Sequence, residues 1–371
     1  MTHTHTYTHS NNQANGNLKS LQILRFIAAT SVAYVHIGVN PQFGAFGVDI
    51  FFVLSGFVIA LVVSNKQSAK VFAISRLTRI VPLYWLLTTL LLFLIYFKPQ
   101  YVHETTAAST SFINYLKSLF FIPYYGASDM KPLLRLGWTL NYEMLFYLSV
   151  WIALLTTKRN VLLFSFVLLS ICYFTFGSLT NNKVANEFFG SELIFEFILG
   201  VVAFKIFSMN KIKHISKSIL LPTAILAYGL MAFLEATEYG GNSFIFFGIP
   251  SFILVLSAVG LEEYVSESKN VFTSALIHMG DASYATYLTH WYVIVACRKI
   301  FSEKLGLYDF YSATGVFITL GMSLIIGQIT FKYADKPLNQ NLKRYLLSRF
   351  VKPTQLQKWP RLFGQNFLFH K

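Results

Sequence analysis

The chain has 371 residues, 54% of them hydrophobic and only 12% charged, with a mean hydropathy of +0.52. A soluble domain carries about twice that charged share, so the composition excludes an ordinary soluble enzyme and fits a polytopic membrane protein. The net charge of +14 would suit nucleic acid, but the basic residues gather between apolar segments, where membrane topology accounts for them. No nucleic-acid partner is expected.

The first 18 residues, MTHTHTYTHSNNQANGNL, lack the apolar region of a cleaved signal. They read as a disordered, His-rich cytoplasmic tail, and His3, His5 and His9 are not expected to form a metal site. Apolar spans follow near 20–38, 46–64, 80–97, 138–157, 160–177, 190–208, 218–235, 243–261, 276–297 and 311–331. Each is close to the ~20 residues that a bilayer crossing needs. The expected fold is all-α: a polytopic integral membrane protein with about ten transmembrane helices. With the N-terminus inside, more than twice as many Lys and Arg fall inside as outside, which predicts N-in and C-in. No repeat or linker divides the chain. One membrane domain, 19–338, is therefore expected between the 1–18 tail and a basic cytoplasmic tail, 339–371. Cys172 and Cys297 lie in apolar segments and give neither disulfide nor metal spacing.

The first span, LQILRFIAATSVAYVHIG, holds Arg25 and His36. Eleven residues at ~100° each come about 20° past three full turns, so both side chains share one face, about 16 Å apart along the axis. A charge facing hydrocarbon costs at least ~2.5 kcal/mol, and one shared face turns both groups away from lipid. Snorkelling to the two headgroup layers is the alternative.

Further ionisable residues lie within or beside the spans, and such groups are functional candidates. His36, Asp49, Glu143 and His290 come to a similar depth in the outer half from four helices. A carboxylate beside an imidazole would fix its tautomer for general-base work; interhelical polar contacts that merely hold the bundle are the competing reading. Arg25, His278 and Asp281 lie in the inner half. Next to them Arg76 and Arg79, in SRLTRIVPLYW, stand at i and i+3 on one helix face. Such a pair suits phosphate oxygens, although on the residues alone positive-inside topology or anionic headgroups are the stronger explanation. Glu192 and Glu196 are like charges at i and i+4, and Glu196 must face protein; its partner is not evident from sequence. No HExxH, P-loop, catalytic-serine or dinucleotide-binding motif is present.

These segments together resemble the membrane acyltransferase-3 family. LQILRFIAATSVAYVHIG is similar to its first block, FGVDIFFVLSGFVI to its second and SRLTRIVPLYWL to its third. GWTLNYEMLFYL is similar to the fourth block of the exopolysaccharide-production acetyltransferase branch, and MGDASYATYLTH and YADKPL follow in order. The resemblance covers about 18–338. It implies an O-acetyltransferase of the bacterial cell inner membrane. The acyl group, most simply acetyl, would pass from cytoplasmic acyl-CoA to a hydroxyl of an extracytoplasmic polysaccharide or lipid-linked oligosaccharide, with membrane lipid around the protein. Acyl-CoA is then a donor substrate and no resident cofactor is expected. By that resemblance His36 is the catalytic histidine and Arg25 its essential companion. Arg76 and Arg79 face the CoA phosphates, and Asp49 and Glu143 are the acidic positions. His290 and Asp281 are read as substrate-binding. His36 would act as general base, oriented by Asp49 or Glu143, or would carry the acyl group transiently. Some family members carry a fused SGNH esterase-like domain, to which no segment of this chain corresponds. The alternative function is a proton-coupled transporter or a flippase of lipid-linked sugars without acyl transfer.

Overall fold

The computed structural model describes residues 18–351, apart from 103, 158 and 240. The expected His-rich tail up to Asn17 and the chain beyond Val351 lie outside the described residues. Helices account for the framework, and there is no strand among the described residues.

The main helices are α1 (Lys19–Ile37), α2 (Gly47–Ser64), α3 (Ala69–Phe97), α4 (Trp138–Thr156), α5 (Val161–Phe176), α6 (Leu193–Ser208), α7 (Lys217–Ala236), α8 (Ile249–Gly260), α9 (Val271–Asp281), α10 (Ser283–Ala296), α11 (Ala313–Thr330) and α12 (Lys336–Phe350). All ten segments expected to span are helical. Two depart from a single rod. The segment expected at 276–297 divides at Ala282 into α9 and α10, and α11 runs through a π-helical turn at Phe331–Asp335 into α12. The region expected to begin a basic tail at 339 is thus helical up to Phe350. Among the described residues five stretches are long and apolar enough to cross a membrane: α1, α2, α3, α7 and the run Ala313–Phe350. Val161–Phe176 and Phe244–Gly260 are shorter apolar helices.

Close packing follows from small residues. A Cβ on Gly56 would lie 1.9 Å from the Phe197 carbonyl oxygen, and one on Gly200 would lie 2.0 Å from that of Val53. α2 and α6 therefore touch backbone to backbone, the contact that drives association where lipid offers no hydrophobic advantage. In the same way α9 rests on α1, with Gly280 against the Gln22 carbonyl.

Local signals place α1. Its first amides, on Lys19 and Ser20, donate to Glu262 at 3.0 and 2.8 Å, a carboxylate at the positive end of the helix dipole. Its C-terminus closes on Gly38 at φ +79°, whose N–H returns to the Val35 carbonyl. Held at both ends, α1 carries Arg25 and His36 at fixed depths.

Candidate active site

Arg25 and His36 open into different spaces. The first, the arginine cavity, holds about 810 Å³ of empty volume, part of it open to solvent, between α1, α2, α3, α4 and α10. Arg25, Arg76, Arg79, Glu143, Tyr147 and Tyr284 contribute its polar wall. Arg79 donates to Asp335 at 3.1 Å, with Asp335 only 2% exposed, and lies over the Tyr284 ring at 5.2 Å. Tyr284 in turn donates to the Ile80 carbonyl at 2.7 Å. Arg76 lies 6.0 Å from the centre of the Tyr147 ring, and its buried Nε has no hydrogen-bond partner among the described residues. Glu143 accepts from the Tyr147 hydroxyl and, at 3.1 Å, from Ser55. Among the residues that line the cavity three guanidinium groups face one carboxylate, Glu143, and the Arg76 Nε is unpartnered, a setting for an anionic ligand.

His36 borders two other spaces. The larger, the histidine cavity, has about 1,260 Å³ of empty volume, part of it open to solvent, and is walled by Asp49, Lys131, Trp138, Glu235 and Ser243 as well as His36. The smaller, of about 500 Å³ including space open to solvent, shares His36, Lys131, Leu136 and Trp138 with it and is otherwise lined by Leu91, Leu133, Leu134, Thr106, Arg135 and Trp291. His36 Nδ1 lies 2.7 Å from the Val32 carbonyl oxygen. A carbonyl only accepts, so Nδ1 carries the proton and Nε2 keeps its lone pair. The ring is therefore oriented as a base by its own helix, without a carboxylate. His290 lies behind it, 5.0 Å between ring centres, wholly buried, with Nδ1 3.3 Å from the Thr286 carbonyl.

Other groups set the shape of this side. Glu235 accepts the amides of Gly44 and Ala45 at 2.6 and 3.0 Å and so pins the loop between α1 and α2 beside His36. Asp49 accepts from Ser243 at 3.4 Å and faces Glu196, which is completely buried. In the loop before α4, Arg135 grips Asp129 with both Nη atoms, at 3.0 and 2.6 Å, and Lys131 stands 3.6 Å away. Partial burial pushes the Asp129 carboxyl up, but these cations hold it below its usual range.

Val48 and Tyr287 line the arginine cavity and the histidine cavity alike. Tyr287 is fixed there: its hydroxyl donates to the Leu136 carbonyl at 3.0 Å and lies 2.9 Å from the Thr139 hydroxyl. A thin partition separates the spaces reached by Arg25 and His36.

Arg25, Arg76 and Arg79 therefore come together, whereas His36 and Asp49 share only the lining of one large cavity. Glu143 does not join His36: its side chain turns toward the arginines, captured by Ser55 and Tyr147. His290 touches His36 but lines neither cavity that His36 opens into. Asp281 ends α9 among the charges of His278, Arg25, Arg79 and Lys336 and does not line the arginine cavity. The neighbour that the sequence did not supply for Glu196 is another carboxyl, Asp49, and neither Glu196 oxygen has a hydrogen-bond partner among the described residues. Sequence reasoning missed Tyr147, Tyr284, Tyr287, Glu235 and Asp335. Of these, Tyr147 carried a signal, lying one turn beyond Glu143 on the same face, and Glu235 is an acid at the end of an apolar span.

The acyltransferase domain profile of the acyltransferase-3 family matches residues 18–331. The chain belongs to this family. Among curated proteins the acyltransferase is 30% identical over 314 residues to the exopolysaccharide production protein ExoZ of Rhizobium meliloti, covering 80% of this chain and 89% of that one. It is 22% identical over 354 residues to the peptidoglycan O-acetyltransferase OatA of Listeria monocytogenes and 24% identical over 360 to the O-acetyltransferase OatA of Staphylococcus aureus. These alignments cover 87% of this chain but only 56% and 57% of the two relatives, so the acyltransferase spans little more than half their length. No solved structure matches. Family and apolar helices together make it a membrane-embedded acyltransferase.

Proposed function

We propose that this protein is an O-acetyltransferase of the bacterial inner membrane. It would take the acyl group from acyl-CoA in the cytoplasm and pass it to a hydroxyl of a polysaccharide or lipid-linked oligosaccharide on the other side. The ten apolar helical segments cross the membrane, with both termini in the cytoplasm, as the bias of Lys and Arg supports. The arginine cavity then opens inward and the histidine cavity outward.

The observation that carries the reading is the thin partition: one helix presents Arg25 to a cationic cavity and His36 to a separate one, with Val48 and Tyr287 common to both walls. Arg76, Arg79 and Arg25 hold the CoA phosphates. The pantetheine arm extends past Tyr287 toward His36. The acceptor hydroxyl, in the histidine cavity, gives its proton to His36 Nε2 as its oxygen bonds to the thioester carbonyl carbon. The carbon–sulfur bond then breaks, and the thiolate leaves as CoA thiol with the proton from His36. The same free Nε2 lone pair would serve a transient acyl-histidine, which CoA release from acetyl-CoA in the absence of glycan would reveal.

The test is purified protein in liposomes with radiolabelled acetyl-CoA and a candidate glycan. Label on glycan hydroxyls with stoichiometric CoA release supports the reading; glycan passage across the bilayer without label transfer refutes it. For orientation, Ser128→Cys should react with an impermeant thiol reagent from outside the cell and Lys269→Cys should not; the reverse pattern would invert the topology.

A further inference from the structure

The Val32 carbonyl already fixes the His36 ring, so the acid in the wall of the histidine cavity has another task. That acid, Asp49, is 6% exposed and has Glu196 behind it. Helix packing sets the two against each other. Asp49 and Glu196 each lie one turn before the place where α2 and α6 touch backbone to backbone, at Val53 and Gly200. On its other side Glu196 meets Gly248, where a Cβ would stand 3.2 Å from Glu196 Cγ and Oε1.

Glu196 is completely buried, and the charge that faces it is that of Asp49. As carboxylates the two only accept, and neither Glu196 oxygen then has a hydrogen-bond partner among the described residues. Two like charges in contact and out of water do not both persist. A single proton resolves both faults, because it removes one charge and turns the contact into a hydrogen bond. Ser243 donates to Asp49 at 3.4 Å, whereas no donor among the described residues reaches Glu196. The charge therefore falls to Asp49 and the proton to Glu196.

We propose that Glu196 and Asp49 hold one proton between them, and that Glu196, as the donor, positions the Asp49 carboxylate to accept a hydroxyl of the acceptor glycan. The inference rests on the acyl-transfer reading above. Asp49 is then a binding group for a polyhydroxylated acceptor rather than the orienting partner of His36. Glu196 is a positioning residue that does not touch substrate. The shared proton stays with the pair, and the proton of the reacting hydroxyl still passes to His36.

The experiment uses two substitutions. Glu196→Met and Glu196→Gln both keep a straight side chain beside Gly248, but only the carboxamide has N–H groups to donate to Asp49. In liposomes with acetyl-CoA and one glycan, Glu196→Met should raise KM for the glycan at least tenfold and leave KM for acetyl-CoA unchanged. Glu196→Gln should bring the glycan KM back to within threefold of wild type. A packing role would be served by either substitution, and a role for the full charge by neither. Glu196→Met indistinguishable from wild type, or Glu196→Gln as impaired as Glu196→Met, would therefore overturn the inference and leave the acetyltransferase standing. Infrared spectroscopy of the purified protein at neutral pH gives a readout that needs no turnover. The wild type should show the carbonyl band of a protonated carboxyl that Glu196→Gln lacks, and identical spectra would overturn the shared proton. Wild-type protein that transfers acetyl to no glycan would refute the acyl-transfer reading and, with it, the role of Asp49 in holding the acceptor.

Discussion

In the arginine cavity, charged side chains are held by other side chains: Arg79 by Asp335 and the Tyr284 ring, Glu143 by Ser55 and Tyr147. In the histidine cavity the backbone does the holding: the Val32 carbonyl fixes His36, and the amides of Gly44 and Ala45 fix Glu235. Each arginine offers a bound anion its own charge-assisted bonds, so loss of one removes only that share. A group positioned by its own helix has no substitute. The first region should therefore respond to mutation in graded fashion, through donor binding, and the second in all-or-none fashion, through chemistry.

The largest effect belongs to the second region. His36→Ala should lower kcat by about 10²–10⁴, the usual contribution of a general base, with the protein still inserted in the membrane. Steady-state kinetics beside quantitation of membrane protein checks this, and activity within threefold of wild type would break the contrast. Next come the arginines. Arg76→Ala or Arg79→Ala should raise KM for acetyl-CoA roughly ten- to a hundredfold, since charge-assisted bonds are worth about 1.5–3 kcal/mol. Lys at either position should restore only part, keeping the charge and losing the planar fork.

Glu143→Gln sharpens the comparison. Because Glu143 sits with the arginines, its loss should change KM for the donor several-fold, with the pH profile governed by His36 unmoved; a displaced pH profile would return Glu143 to the histidine's side. Packing gives a further prediction. Gly56→Ala should lower Tm by several degrees, since its Cβ would meet the Phe197 carbonyl at 1.9 Å, whereas Gly229→Ala, with open space around it, should not. The smallest effect is on acid stability. The Asp129 carboxyl is held below its usual value, so its contribution is complete above the unfolded value of about 3.9 and is lost as pH falls through the lower folded one. Proteolysis of the loop around Ala127 should rise below about pH 4, and Asp129→Asn should flatten that dependence.

Helix positions were legible because apolar runs and their punctuation are local. The 16 Å separation of Arg25 and His36 was legible too, being fixed by helix geometry alone. The carboxylates were not. Depth along a helix placed Glu143 near His36, but the rotation of α4 points it at Ser55 and Tyr147 instead, and that rotation depends on how α2 and α4 pack. The tautomer-fixing group for His36 was also sought among acids, whereas it is the carbonyl four residues earlier, a partner every helical residue possesses. The Asp335–Arg79 pair spans 256 positions in the chain, a distance over which no periodicity speaks.

The measurement that tests the two-sided reading most directly is transfer across a sealed membrane. Proteoliposomes in one known orientation are loaded with radiolabelled acetyl-CoA inside, with glycan outside, and the label on washed glycan is counted. Label should appear on the outer glycan only when acetyl-CoA lies on the side of the arginine cavity, and should vanish with His36→Ala. Acetylation confined to glycan enclosed on the same side as acetyl-CoA would contradict it.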